Sequence, residues 1–298
     1  MTAKKRFFLN GLLLTAVGLS MRTATLFFNA FVSRTVGAEG MGLFTLIMTV
    51  YGFALTFATS GISLTMTRLV AGALGEGEAG RVKKILQAGT LYALAFGTVA
   101  TVVLFFFSPL IATHAISDAR AVSAMRILSA SLIPSALLSV FSGYFVGVRR
   151  VAKNAVTQVI AQGGKILLTL LVLTRVSGGV EKACAVLSMK MTLTDALACL
   201  ISYLQLLYDR RREKKNATVN TSLSCEGREV VAMALPLAFS AYIRSALLSL
   251  EHMLIPGRLR AGGATQADAL ASYGILHGMA LPLLLYPMAP LSSLEPEQ

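Results

Sequence analysis

Five cations and two carboxylates stand inside stretches that are otherwise apolar enough to cross a lipid bilayer: Arg22, Arg126, Lys165, Lys190 and Arg244 against Asp195 and Glu251. A charged side chain at the centre of a membrane helix costs about 2.5–3.5 kcal/mol on insertion scales, so such groups stand beside water, a partner or a ligand. A positive excess at that depth suits a negatively charged ligand. Arginine fits a phosphate group best, because its planar fork of donors matches two phosphate oxygens at once and stays protonated. Arg22 and Arg244 are therefore the first candidates for holding an anionic head group, with Lys165 in electrostatic support.

These charges lie on striped helices. Thr15, Gly18, Arg22, Thr25, Asn29 and Ser33 recur every three or four residues, which draws one small or polar line down a helix whose other faces are Leu, Val and Phe. Thr45, Thr49, Gly52, Thr56, Thr59, Ser63 and Thr67 repeat the pattern in the next segment, and Gln158, Gln162, Lys165 and Thr169 in a later one. Two readings compete. Small and hydroxylated residues let membrane helices approach closely and hydrogen-bond one another. Alternatively the stripes line a hydrated cavity, and those that contain Arg22 and Lys165 favour this, since a long cation needs water or an anion beside it. The expected cavity wall comprises Thr25, Asn29, Thr56, Gln162 and Glu251. Arg126 lies near a helix start, from which it can snorkel to the interface. Lys190 and Asp195 share a helix at a spacing that does not bring them face to face.

What must position these residues is a helical membrane protein. Hydrophobic residues make up 55% of the 298, charged residues only 14%, and mean hydropathy is +0.69. Soluble domains carry about 25% charged residues. About eight stretches reach the roughly 20 residues that span hydrocarbon, near 9–33, 41–71, 85–111, 121–147, 155–177, 182–208, 229–256 and 267–291. Strands are excluded by the want of period-two alternation and by the unsatisfied edges they would expose to lipid. The fold class is all-α and polytopic, a transporter-like arrangement of membrane helices.

The net charge of +13 lies in short basic clusters between apolar stretches, so it reports topology and calls for no nucleic acid. Sixteen Lys and Arg, at 4–6, 68, 81–84, 149–153 and 210–228, fall on one side of the expected helices; six, Arg34, Arg120, Arg175, Lys182, Arg258 and Arg260, fall on the other. That bias places the N-terminus in the cytoplasm of a multi-pass cell-membrane protein. Residues 1–208 read as a first six-helix lobe, 209–228 as a basic cytoplasmic linker and 229–298 as the opening pair of a second lobe. An internal repeat supports this division. A shift of 222 positions sets Arg22 on Arg244 and Asn29 on Glu251, and after a short insertion Met41-Gly42-Leu43-Phe44 meets Tyr273-Gly274-Ile275-Leu276. Copies separated by an even number of spans share orientation. On this reading the chain is truncated at its C-terminus. Pro134, Gly163-Gly164, Pro236, Pro282 and Pro287 mark expected breaks or bends.

Catalytic chemistry finds no foothold. The chain has no Gly-rich phosphate loop ending in Lys-Ser/Thr, no His-Glu-x-x-His and no nucleophile elbow, and it has too few carboxylates for a glycosidase pair. Cys184, Cys199 and Cys225 lack metal-ligand spacing. Neither a cofactor nor a metal is expected.

The stretch from Arg6-Phe7-Phe8-Leu9-Asn10-Gly11 through Arg22, then Phe31-Val32-Ser33-Arg34-Thr35-Val36-Gly37-Ala38-Glu39-Gly40-Met41-Gly42-Leu43, resembles the opening of the stage V sporulation protein B-like polysaccharide flippases. Gly61-Ile62-Ser63 leading to Arg68-Leu69-Val70-Ala71, and Leu254-Ile255-Pro256-Gly257-Arg258-Leu259, resemble the same group. It belongs to the multidrug/oligosaccharidyl-lipid/polysaccharide exporter superfamily. The resemblance implies two six-helix lobes around a central cavity, no enzymatic activity, and movement of a lipid-linked saccharide across the membrane, with membrane lipids as the other partner. Arg22 matches a cavity arginine of that group, whereas two others fall at Phe28 and near Leu55, which argues against lipid II as the cargo. The competing expectations are a cation-coupled multidrug exporter of the same superfamily, with Asp195 as the ion-binding carboxylate, and an inactive fragment or scaffold.

Overall fold

A computed structural model of the chain describes the backbone of residues 3–59, 61–78, 80–173, 179–212 and 223–284. Side chains are described from residue 23 onward, apart from 24, 27, 28, 170–173, 210–212, 223, 224, 279, 282 and 283. The described residues are helical throughout, with short turns between.

The first helix, α1 (Ala3–Thr59), has 57 residues and at 1.5 Å per residue would run about 85 Å, far beyond one bilayer. It is divided at Gly37, whose φ of 82° and ψ of 167° only glycine adopts without strain. The first expected stripe thus lies on the first arm of this kinked element, and the second runs from Thr45 to Thr59 on the second arm and passes into the next helix with Ser63 and Thr67. Next comes α2 (Ile62–Gly75), which starts from Gly61 at φ 67°, a left-handed residue that again bends the chain. After α3 (Arg81–Ile111) the helix widens into a π turn at Ala112–Ile116. Then follow α4 (Ala121–Ser129), α5 (Leu132–Gly147), α6 (Val151–Leu173), α7 (Gly179–Arg212) and α8 (Leu223–Ala261). Last come α9 (Gln266–Tyr273), a second π turn at Gly274–Ala280, and α10 (Leu281–Leu284).

Among the described residues four helical stretches are long and apolar enough to cross a membrane: Asn29–Gly75, Arg81–Ile116, Gly179–Asp209 and Cys225–Ala261. A fifth appears if α4 and α5, bent by 42° at their junction, form one span. The protein is a multi-pass membrane protein.

The expected breaks fall differently from the sequence reading. Helix four bends before Pro134, which occupies the first turn of α5, where a missing N–H leaves no hydrogen bond unmade. Gly163 and Gly164 sit inside an uninterrupted α6, and Pro236 inside an uninterrupted α8.

Packing explains which faces turn inward. The second arm of α1, α2, α3, α4, α5 and α7 enclose a core of Leu43, Ile47, Ile62, Met66, Ile85, Leu128, Leu132, Val140 and Tyr144, all nearly inaccessible. Small residues let these helices close up. A Cβ added at Gly143 of α5 would lie 2.4 Å from the Ser63 carbonyl oxygen of α2. Outward, Leu91, Phe106, Phe107, Leu110, Phe239, Leu247 and Leu254 are exposed, the apolar belt that lipid requires.

Side-chain contacts identify the two ends of the bundle. At one end Arg81, at the start of α3, grips Glu226 and Glu229 of α8, both at 2.6 Å. At the other, Arg260 near the end of α8 donates to Ser117 Oγ after the first π turn, at 3.0 Å. The helix that opens the expected second lobe is therefore held to α3 at both ends, and both helices run in the same direction.

Candidate functional site

The sequence spacing of α6 is what builds the site. Asn154, Gln158, Gln162, Lys165 and Thr169 fall on one face, and that face turns toward α7 and α1 rather than lipid. Helices α6 and α7 form an antiparallel pair with polar crosslinks in register. Lys153 meets Asp209, Lys165 Nζ lies 2.8 Å from Asp195 Oδ1, and Lys190 Nζ donates to Thr169 Oγ1. Asp209 is also paired with Arg150 at 2.8 Å.

Two cavities adjoin along this pair and share Met48, Gln162, Lys165 and Met191 as walls. The smaller, about 300 Å³, is lined by Thr25, Asn29, Thr45, Gln162, Lys165, Lys190 and His277 among apolar residues. The larger, about 560 Å³, runs past Tyr51, Gly52, Thr59, Ser63, Ser135, Ser139, Asn154, Gln158 and Asp195. Both fall in the size range of ligand sites. Gln162 Nε2 donates to Thr25 Oγ1 at 3.0 Å and so ties α6 to α1 at the first cavity.

The electrostatics are lopsided. Lys165 and Lys190 line the smaller cavity together, and Asp195, on the wall of the larger one, pairs with Lys165. The Lys165 side chain keeps 28% of its surface accessible and that of Asp195 12%. Lys190 retains only 5% and is satisfied in part by Thr169. Ser135 Oγ reaches the other Asp195 oxygen at 3.4 Å, and Ser131 Oγ lies 2.7 Å from the Tyr51 hydroxyl in the same polar patch. Asp195 is ion-paired with Lys165, and Lys190 stands on the wall of the smaller cavity.

The hydroxyl stripe on the second arm of α1 is largely self-satisfied. Thr45, Thr49, Thr56 and Thr59 each donate to the carbonyl four residues back, at 2.8–3.0 Å. Their oxygens remain as acceptors only.

Set against the expected site, Thr25, Asn29, Gln162 and Lys165 come together on the cavity walls. Thr56 lines neither cavity, because the wall at that level is made by Gly52, Leu55 and Thr59. Glu251 and Arg244 are exposed on α8 and line neither of these two cavities. The Arg22 side chain lies outside the described residues. Arg126 is exposed, with its guanidinium 5.5 Å from the Phe105 ring centre, consistent with an interfacial role.

Sequence reasoning missed three participants. The Lys165–Asp195 pair was legible in principle, since Asp195 is the one carboxylate expected within the first six spans and an antiparallel α6–α7 hairpin sets it opposite Lys165. Tyr51 sits amid apolar neighbours and carried no signal. His277 reaches the cavity only because the helix widens at Gly274–Ala280, which periodicity does not reveal.

Comparison with known proteins fixes the lineage. Stage V sporulation protein B of Bacillus subtilis (strain 168) is 26% identical over 290 residues, covering 96% of this chain and 56% of that protein. The lipid II flippase MurJ of the same organism is 27% identical over 159 residues, covering 49% of this chain and 29% of the flippase. An inward-facing multidrug resistance MATE family transporter of the MOP superfamily superposes with a TM-score of 0.66 at 14% identity, over 94% of this chain and 63% of the transporter. The chain thus spans about half the length of stage V sporulation protein B and less of the flippase. Residues 8–293 match the model of one family over nearly the whole sequence, and the chain belongs to that family, polysaccharide biosynthesis protein.

Proposed function

We propose that this chain supplies the binding lobe, and the start of the opposing lobe, of an exporter that flips an anionic lipid-linked saccharide by alternating access. The observation that carries the reading is the pair of lysines, Lys165 and Lys190, on the wall of one cavity that no carboxylate lines among the described residues. The head-group phosphate binds at Lys190 and Lys165, within reach of Gln162, Thr25 and Asn29, while the lipid tail stays in the bilayer. Arg22 stands one turn before Thr25 on the same helix, so its register favours the same face. Sugar hydroxyls donate to the threonine oxygens of α1 and pair with the amides of Asn154 and Gln158 in the larger cavity. Residues 1–208 form the first lobe, 209–228 a cytoplasmic linker, and 229–298 the opening of the second, with the N-terminus cytoplasmic.

The names support a flippase: one relative is a lipid II flippase, and the family that this chain matches is polysaccharide biosynthesis protein. The multidrug transporter shares the fold, but a cation-coupled mechanism at Asp195 needs that carboxylate open to Na⁺ or H⁺, and it is ion-paired with Lys165. The test is binding and flipping of a fluorescent polyprenyl-pyrophosphate disaccharide in vesicles. Lys190→Met and Lys165→Met should each lower affinity at least about tenfold, the loss of one charge-assisted hydrogen bond. Unchanged affinity in both variants refutes the head-group site.

A further inference from the structure

The last described helices bring two histidines and a tyrosine to the edge of the smaller cavity, and the head-group reading makes no use of them. His252 Nδ1 of α8 lies 2.7 Å from the Tyr273 hydroxyl of α9. His277 stacks on the Tyr273 ring at 4.8 Å between centroids, and its ring stands edge-on to His252 at 4.6 Å. Tyr273 ends α9 and His277 follows four residues on, within the π turn, so the two rings share one face of the coil. The other side of His277 lines the cavity that also holds Lys165 and Lys190. Three rings thus connect a half-buried imidazole on α8 to the space where an anion binds.

Several charged or titratable groups stand around the cluster. Lys165 of α6 and Lys190 of α7 share the cavity with His277. Glu251, which precedes His252 on α8, acts electrostatically on His277, and Tyr273 contacts both imidazole rings. From α1 the described cavity residues are Thr25, Asn29, Met41, Phe44, Thr45 and Met48, all neutral.

Imidazole is the side chain whose charge changes near neutral pH. Two rings 4.6 Å apart do not both take a proton cheaply, so the pair accepts one. With the cavity empty of anion, an imidazolium at His277 shares the cavity wall with Lys165 and Lys190 and has Glu251 as its acidic neighbour. With a phosphate present, it becomes a further counter-charge.

We propose that His252, Tyr273 and His277 form a proton-binding site thermodynamically linked to anion binding in the adjoining cavity. A proton from water adds to one imidazole nitrogen of the pair as the anionic head group enters, and returns to water when it leaves; no other bond is made or broken. Linkage is reciprocal, so protons strengthen anion binding by the factor by which the anion strengthens proton binding. This rests on the anion-binding reading of the cavity.

The experiment uses the 298-residue chain in nanodiscs of neutral lipid, with methyl farnesyl phosphate as probe, a phosphodiester whose charge is constant over the range. Calorimetry at about pH 6.5, the ordinary imidazole range, in two buffers of different ionisation heat counts the protons exchanged. Uptake of a fraction of a proton is expected, with affinity falling about tenfold from acid to alkaline pH, the effect of a one-unit change in proton affinity. His277→Gln should bind at all pH values with the alkaline affinity of the wild type and take up no proton. His252→Gln should reduce the uptake, which keeps the assignment testable should one variant fold poorly. Binding without proton uptake, or uptake unchanged in both variants, overturns the linkage alone. Absence of probe binding in the wild type at every pH overturns the linkage together with the head-group site.

Discussion

Gly42 and Gly274 meet backbone to backbone. A Cβ built on Gly274 would lie 2.6 Å from the Gly42 nitrogen and 2.9 Å from its Cα, and one built on Gly42 would lie 1.9 Å from the Leu270 carbonyl oxygen. They are also the residues that the repeat expected from the sequence would pair, Met41-Gly42-Leu43-Phe44 with Tyr273-Gly274-Ile275-Leu276. The same crossing seats the second π turn against α1 and thereby brings His277 to the cavity.

A methyl group at either glycine has nowhere to go, since the obstructing atoms are backbone. Gly42→Ala and Gly274→Ala should each destabilise the protein by about 1–3 kcal/mol, the range for overpacking. Gly72 of α2 has open space around its Cβ position, and there the better helix propensity of alanine should stabilise by about 0.8–1.0 kcal/mol. Thermal midpoints in detergent distinguish the three. Equal, small effects at all of them would show that the crossing is looser than the contact distances require.

The Lys165–Asp195 pair makes a second prediction through its asymmetry. Breaking a buried pair by removing one partner costs about 3–5 kcal/mol, and an exposed pair is worth about 0–1. With 28% and 12% of the side chains accessible, this pair falls between. Lys165→Met should therefore cost about 1–3 kcal/mol by leaving Asp195 uncompensated. Lys165→Met with Asp195→Leu should recover most of that loss. A double variant no more stable than the single would mean the carboxylate has another partner in the cavity.

Much of this site was legible before the structure. The three-and-four spacing of Gln158, Gln162, Lys165 and Thr169 marked the wall of α6, and Thr25 and Asn29 marked that of α1. Periodicity locates a face but does not say how far along the bundle a neighbour reaches. That is why Thr56, on the same stripe as Thr59, missed the wall. Arg244 was chosen for its charge and its repeat partner, and neither feature fixes the direction in which α8 presents it. The kink at Gly37 falls within a segment expected to turn and the bend between α4 and α5 lies beside Pro134, whereas the two π turns leave no mark in composition.

Arg81 anchors the end of α8 and makes a third prediction. Its guanidinium binds Glu226 and Glu229 at 2.6 Å and has Glu76 and Glu78 at 3.5 Å, while the Glu226 side chain is fully buried. Arg81→Ala strands a buried carboxylate and should cost about 3 kcal/mol, the low end for a broken buried pair, because Arg81 keeps 19% of its surface accessible. Arg81→Lys keeps the charge but cannot form both contacts as a planar fork, so it should fall between. If Glu226→Gln restores stability to Arg81→Ala, the loss came from the stranded charge; if not, it came from the lost packing of α8 on α3.

Orientation gives the last prediction, and the cysteines supply the probe. Cys225 is exposed near the start of α8, Cys184 is buried with its sulfur 3.9 Å from the Gly40 carbonyl, and Cys199 is half-buried in α7. Cys225 stands at the end of the bundle where Arg81 meets Glu226, among the clusters that carry sixteen of the loop and terminal Lys and Arg. The positive-inside bias puts that end in the cytoplasm. A membrane-impermeant maleimide should therefore leave Cys225 unmodified in intact cells and label it in inverted vesicles, with Cys184 unreactive in both until the protein is unfolded. Cys225→Ser removes the signal and assigns it. Labelling of Cys225 in intact cells would reverse the topology, and with it the side from which a head group enters the cavity at Lys165 and Lys190.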